Sequence, residues 1–148
     1  MVDMTIPTEA SWQRFLYEHH HSAGEIAPSG AAPITLTSGA GAWALGNFSA
    51  DIIAAGAVTN PFDIHWMVIS NPSQNAWYDI VLYYGDTDIE CARTTFAREN
   101  NFVNSINVPV QMVILPANSR VRAKMMDSVG GGTCDIKVIY HQYPDYVV

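Results

Sequence analysis

The sequence predicts an all-β protein: an antiparallel β-sandwich of the jelly-roll type, preceded by a short N-terminal helix and arm. From residue 33 onward, short runs rich in β-branched and aromatic residues recur at roughly ten-residue spacing. Clusters of Pro, Gly, Asn and Asp separate these runs. No helical periodicity interrupts them, and eight or nine short strands are typical of a jelly roll. A β-barrel or an immunoglobulin-like sandwich is the alternative.

The first thirty or so residues differ in pattern from the rest of the chain. Thr8 is a suitable N-cap, and Trp12, Phe15 and Leu16 begin an i, i+3, i+4, i+7 series that His19 completes. This spacing predicts an amphipathic helix over residues 8–20, followed by a Gly-, Ala-, Pro- and Ser-rich arm. We therefore divide the chain into a helix and arm, residues 1–32, and a β-sandwich domain, residues 33–148.

Nine strands are predicted within the second part, each bounded by turn-forming residues. They cover residues 33–38, 42–46, 51–58, 62–70, 76–84, 89–97, 108–115, 120–127 and 134–143.

Several predicted strands are apolar on both faces. In residues 62–70, alternation places Phe62, Ile64, Trp66 and Val68 on one face, and Met67 and Ile69 on the other. A monomeric sandwich should present polar, solvent-exposed side chains on its outer faces. Apolar residues on both faces therefore favour contacts with other subunits or coverage by the N-terminal helix.

The chain is poor in charge. Charged residues make up 14% of it, against about 25% in an average soluble domain. A surface this neutral suits permanent burial against other subunits, although a soluble monomer with an uncharged polar surface is the alternative. The net charge of −7 argues against nucleic-acid binding. We also expect no signal peptide and no membrane span.

The sequence offers no motif for catalysis, metal binding or a cofactor. The three consecutive residues His19, His20 and His21 cannot converge on one metal ion from a regular helix. Cys91 and Cys134 lie in apolar runs, where a thiol behaves as a small hydrophobe. We therefore expect neither an enzyme, nor a cofactor, nor a metal site.

A basic stripe, Arg120, Arg122 and Lys124, alternates along the predicted strand 120–127. Alternation points these side chains outward and Val121, Ala123 and Met125 inward. The stripe either protects an outer strand from aggregation or meets acids such as Asp86, Asp88 or Asp127 on a neighbouring subunit. In a jelly roll, strands 120–127 and 134–143 lie in opposite sheets, so Lys137 would not extend the stripe.

The region from about Asn60 to Tyr143 resembles a known family. Its strand order and local sequence pattern resemble those of head decoration, or cement, proteins of tailed bacteriophages. The segments that carry the resemblance are "NPFDIHWMVISN", "YDIVLYYGD", "INVPVQMVILPANSRVRAKM" and "GGGTCDIKVIYHQY". The resemblance covers somewhat more than half of the chain and includes no catalytic residues. It implies a sandwich that assembles as a homotrimer on the capsid surface of the virion and clamps subunits of the major capsid protein.

On this interpretation, the expected protein-interface residues are Trp12, Phe15, Leu16, Arg120, Arg122 and Lys124, and the expected aromatic contacts are Trp77 and Tyr78. The alternative function is a carbohydrate- or receptor-binding jelly-roll module of a phage tail or fibre, with exposed aromatic residues beside Asn and Asp as its site.

Overall fold

The computed structural model describes residues 24–30, 32–100 and 105–144, and it confirms an all-β antiparallel sandwich. The helix predicted over residues 8–20, with Trp12, Phe15 and Leu16, lies outside the described residues. None of the described segments forms a helix that could span a bilayer. The described strands are β1 (Glu25–Ala27), β2 (Ile34–Thr37), β3 (Phe62–Ser70), β4 (Ala76–Tyr84), β5 (Ile89–Arg98), β6 (Ser105–Pro109), β7 (Val121–Asp127) and β8 (Thr133–Gln142).

These strands form two sheets. In the five-stranded sheet, β3 lies between β6 and β8, and β1 and β2 both pair with the other side of β8. In the three-stranded sheet, β4 lies between β5 and β7. An irregular segment, residues 43–53, runs along the free side of β7, where the N–H groups of Gly46, Ser49 and Ile52 donate to main-chain carbonyls at 2.8–2.9 Å.

The connectivity is that of a jelly roll. The chain passes from β2 in the first sheet to segment 43–53 beside the second, returns to β3, crosses to β4 and β5, and then alternates through β6, β7 and β8. As a result β2 pairs with the last strand and segment 43–53 with the last but one. β7 and β8 therefore lie in opposite sheets, as the sequence predicted for a jelly roll, and Lys137 on β8 does not extend the basic stripe.

The core lies between the two sheets. Twelve inward side chains from four strands are at most 1% exposed: Phe62, Ile64, Met67, Ile69, Tyr78, Ile80, Leu82, Val121, Ala123, Met125, Ile136 and Val138. Full burial of a large apolar side chain contributes about 1.5–3 kcal/mol relative to exposure. The inward faces of β3, β4, β7 and β8 therefore provide most of the stabilisation of the sandwich.

A β-bulge in β3 makes part of the predicted facing wrong. The register with β8 shifts by one residue between Ile64, which is opposite Tyr140, and Trp66, which is opposite Ile139, so that His65 is the extra residue of the bulge. One extra residue reverses the alternation beyond it. Met67 and Ile69 consequently point into the core, whereas Trp66 is 41% exposed and Val68 is half-buried.

Three predicted strands are not regular strands. Residues 42–46 and 51–58 are irregular, because Trp43 and Gly56 have φ values of 57° and 77°, which an extended strand cannot accommodate. The strand expected at 108–115 is displaced to Ser105–Pro109. Residues 110–114 that follow it are irregular, and Leu115 forms an isolated bridge to Phe62.

The arm predicted to extend to residue 32 includes a strand. β1 pairs with β8, with Ile26 opposite Ile139 and Ala27 opposite Val138. Ala27 is 7% exposed and belongs to the core. At least these residues of the arm are therefore part of the sandwich.

The turn between β7 and β8 is organised around a buried carboxylate. Asp127 is 0% exposed and accepts hydrogen bonds from the Ser38 hydroxyl and from the N–H groups of Val129, Gly130 and Gly132. Burial alone would raise the pKa of Asp127, but these hydrogen bonds favour the ionised form more strongly, so its pKa lies below its ordinary value. The carboxylate thus ties the turn to the end of β2.

Candidate functional site

The basic stripe lies on β7 with the predicted facing. Val121, Ala123 and Met125 are 0% exposed, whereas Arg122 and Lys124 are half-buried on the outer face. β7 is not a bare edge strand, because segment 43–53 donates hydrogen bonds along it.

The two arginines of the stripe bind an acid of their own chain. Arg122 donates from Nε to Asp88 Oδ1 at 2.6 Å and from its Nη2 to Asp88 Oδ2. Arg120 donates to the same carboxylate at 3.3 Å. The hydrogen bond from Arg122 holds the pKa of Asp88 below its ordinary value. Asp88, expected as a partner on a neighbouring subunit, therefore has this role within the chain.

Phe48 covers the middle of the stripe. The guanidinium carbon of Arg122 lies 3.8 Å from the centre of the Phe48 ring, and the Lys124 ammonium lies 4.1 Å from it. Tyr83 supports the ring edge-to-face at 5.1 Å. Cations over an aromatic face are attracted to it. The stripe is thus largely part of an internal network on the outer face of the three-stranded sheet.

The two expected aromatic contacts, Trp77 and Tyr78, differ completely in exposure. Trp77 is 58% exposed, in accord with a contact role. Tyr78 is 0% exposed and stacks on Phe96 with ring centres 4.9 Å apart, so it is a core residue, and its assignment as a surface contact is wrong. Neighbouring residues of a strand point to opposite faces, which rules out a joint platform.

Polar groups flank Trp77. The Ser128 hydroxyl accepts a hydrogen bond from the Trp77 main chain at 3.0 Å, and Asn75, two positions before Trp77, donates its side-chain amide to the Asn100 side chain. An exposed indole beside amide groups can stack on a sugar ring and bind its hydroxyls.

An apolar row crosses the outer face of the five-stranded sheet. We use this name for Ile26, Ile139, Trp66 and Pro109, which are successive cross-strand partners on β1, β8, β3 and β6. Ile26 is 51% exposed and Trp66 41% exposed. The row was not predicted from the sequence, because Ile26 lies in the predicted arm and strict alternation puts Trp66 on the same face as Phe62 and Ile64. Nothing in the residue pattern marks the bulge that turns Trp66 outward.

A cluster of metal-binding side-chain types lies beside the apolar row. Potential ligand atoms of Asp63, His65 and His141 lie within 4.8 Å of one another. No pattern in the sequence predicts that His65 and His141 meet, since 76 positions separate them in the chain. Their meeting is a consequence of the pairing of β3 with β8.

The thiols are poorly suited to nucleophilic chemistry. Burial raises the pKa of Cys91 and of Cys134 to about 12, and the thiolate is the reactive form.

A cleft of about 450 Å³ lies between residues 35–40 and 45–49, and the residues that line it carry no ionisable side chain. It presents hydroxyl, amide and main-chain groups.

No family model matches the chain, and no curated protein gives a significant match to it.

Proposed function

We propose that the protein is a structural virion protein of the capsid-decoration, or cement, type, which binds the outside of a phage head as a homotrimer and stabilises contacts between major capsid subunits. The observation that carries the proposal is the apolar row. Four neighbouring strands present apolar side chains at one level of an outer sheet face, where an independent sandwich would be polar. The resemblance of residues 60–143 to decoration proteins supports the same function.

The absence of charge in the row suits another copy of the chain as the partner. Two copies of a chain with a net charge of −7 repel each other, so they associate best through a neutral surface. None of the four side chains of the apolar row is ionisable. Burial of Trp66 and Ile26 between copies would contribute through the hydrophobic effect without desolvating a charge.

Native mass measurement tests the proposal. We expect a trimer for the wild-type chain and a shift toward monomer for Trp66→Ser, because serine removes the largest side chain of the row. Trp77→Ser is the matched control, since it also replaces an exposed strand tryptophan but on the other sheet, and it should leave the trimer intact. A wild-type protein that stays monomeric at high concentration and fails to bind phage capsids contradicts the proposal.

Trp77 favours a second candidate function, a carbohydrate- or receptor-binding module of a phage tail or fibre. The specific observation is its exposed indole, which follows the polar residue Asn75 by two positions in the chain. A glycan array should then show binding that Trp77→Ala abolishes and Trp66→Ser retains. Substitution of Trp66 and of Trp77 in separate variants therefore distinguishes the two proposed functions.

A further inference from the structure

We propose that Asp63, His65 and His141 form a binding site for a divalent transition-metal ion, with Zn²⁺ the best match. Two imidazoles and a carboxylate are a common ligand set for zinc, with water or another side chain in the fourth position. Their potential ligand atoms lie within 4.8 Å of one another, so one ion can contact all three after small side-chain rotations.

The sheet holds the three ligands together. Asp63 on β3 lies directly opposite His141 on β8, and the bulged residue His65 follows two positions after Asp63. His65 is the extra residue of the bulge, and its side chain lies with those of Asp63 and His141 on the outer face. All three ligands thus stand on paired strands rather than on loops, which limits the entropy lost when an ion binds.

The distances are close to those of a metal site. His65 Nε2 lies 2.8 Å from Asp63 Oδ1, and the centres of the two imidazole rings are 4.2 Å apart. Zn–N and Zn–O bonds of about 2.0–2.2 Å in a tetrahedron separate two ligand atoms by roughly 3.3 Å. Entry of the ion therefore requires His65 and Asp63 to move apart by about half an ångström.

A second layer orients the carboxylate. Tyr143, which is 4% exposed, donates its hydroxyl hydrogen to Asp63 Oδ1 at 3.1 Å. Its own main-chain N–H donates to the Pro61 carbonyl at 2.7 Å. The side chains of His65 and Asp63 are 17% and 12% exposed, so the site is largely desolvated yet open to an ion from solvent. Outer hydrogen bonds of this kind tune metal affinity.

The chain carries a second group of imidazoles, His19, His20 and His21, which lies outside the described residues. Consecutive histidines can bind a divalent ion by themselves. A binding experiment must therefore separate this tract from the cluster.

Zinc titration of the full chain by isothermal calorimetry tests the site. We expect one Zn²⁺ per chain, with affinity reduced at least about tenfold by His65→Ala, by His141→Gln and by Asp63→Asn. The matched control replaces His19, His20 and His21 together by Ala, and it should leave a 1:1 site with the wild-type affinity. Circular dichroism without metal verifies that each variant folds, and Asp63→Asn and His141→Gln preserve side-chain size.

Cobalt gives an independent readout of the ligands. Co²⁺ bound to the full chain should show visible absorption of a four-coordinate site without a thiolate charge-transfer band, and His141→Gln should abolish it. The proposal is overturned if the chain binds neither ion. It is also overturned if the cluster variants bind as tightly as wild type while the tract variant loses binding.

Discussion

At the scale of single residues, the surroundings in the fold determine what each side chain does. Arg120 and Arg122 were expected to meet acids on a neighbouring subunit, yet both bind Asp88 of their own chain. Trp77 and Tyr78 are both predicted as aromatic contacts, yet Trp77 is exposed and Tyr78 is in the core. The residue types indicated which side chains form ion pairs and aromatic contacts, but the partner of each side chain depended on strand pairing.

Tyr78→Phe should lower the free energy of unfolding by about 1–2 kcal/mol. The buried hydroxyl donates to the Gln74 carbonyl at 2.7 Å and accepts from the Gln74 N–H at 3.1 Å, and phenylalanine leaves both groups without this partner. Urea denaturation measures the loss. Trp77→Ala is the neighbouring control, expected to change stability by about 0.5 kcal/mol or less. A larger loss for Trp77 than for Tyr78 would contradict the assigned facing.

Asp127→Asn should reduce stability by roughly 2–3 kcal/mol at pH 7, because an amide places a donor against the donors that surround this carboxylate. The pKa of Asp127 is lowered in the folded state, so the ionised group stabilises the fold above the unfolded pKa of about 3.9 and this contribution is lost as pH falls through the folded pKa. The difference from wild type should therefore shrink in acid. Denaturation at pH 7 and pH 3 tests this, and a constant difference would argue against the ionised form.

Arg122→Glu should lower the melting temperature of the protein. The sequence alone predicts a role for Arg122 at a subunit interface, whereas its contacts in the fold predict a role in stability. The substitution brings a second negative charge against Asp88 and removes the cation above Phe48. Adding Asp88→Arg in the same chain should restore part of the loss, since the pair is then opposite in sign again. Thermal denaturation of the single and double variants measures the coupling. An unchanged melting temperature in Arg122→Glu would return the stripe to an intermolecular role.

At the scale of elements, a bulge, a turn and an irregular segment decide what each sheet presents. The bulge at His65 turns Trp66 outward and completes the apolar row. Segment 43–53 satisfies the outer side of β7 without forming a strand and brings Phe48 to the basic stripe. The turn after β7 connects the two sheets through Asp127 and its glycines.

Gly130→Ala should destabilise the protein far more than Gly131→Ala. Both glycines have positive φ, 100° and 72°. A Cβ on Gly130 would lie 2.5 Å from the Ala40 carbonyl oxygen, whereas a Cβ on Gly131 meets no atom within 4 Å. We expect a loss of about 1–2 kcal/mol for Gly131→Ala, from left-handed backbone strain alone, and more than about 3 kcal/mol for Gly130→Ala. Equal losses would show that the turn does not pack against residues 40–41.

At the scale of the whole molecule, low charge and an apolar outer face favour a protein that functions in an assembly. Two sheets bury one core, and the five-stranded sheet keeps a second apolar surface outside it. In a symmetric oligomer of the kind proposed above, each copy would bury this surface against a neighbour.

Under the proposed function, the melting temperature should rise with protein concentration. Association of folded copies stabilises the native state by mass action, so a trimer melts at higher temperature when more concentrated. Scanning calorimetry over a hundredfold range of concentration measures this effect. Trp66→Ser should flatten the dependence while Trp77→Ser preserves it. A wild-type melting temperature independent of concentration would contradict self-association through the row.

The sequence by itself determined the fold class, the strands β3 and β4 to the residue, and the facing of β7, because a two-residue alternation between turn formers is a local property. Tertiary structure alone decided the rest. The outward turn of Trp66 depends on a bulge, the Asp88 pairing on a turn that approaches β7, and the Asp63–His65–His141 cluster on the pairing of strands distant in the chain. Each is a long-range relation between segments, and long-range strand register leaves no signal in the residues of one strand.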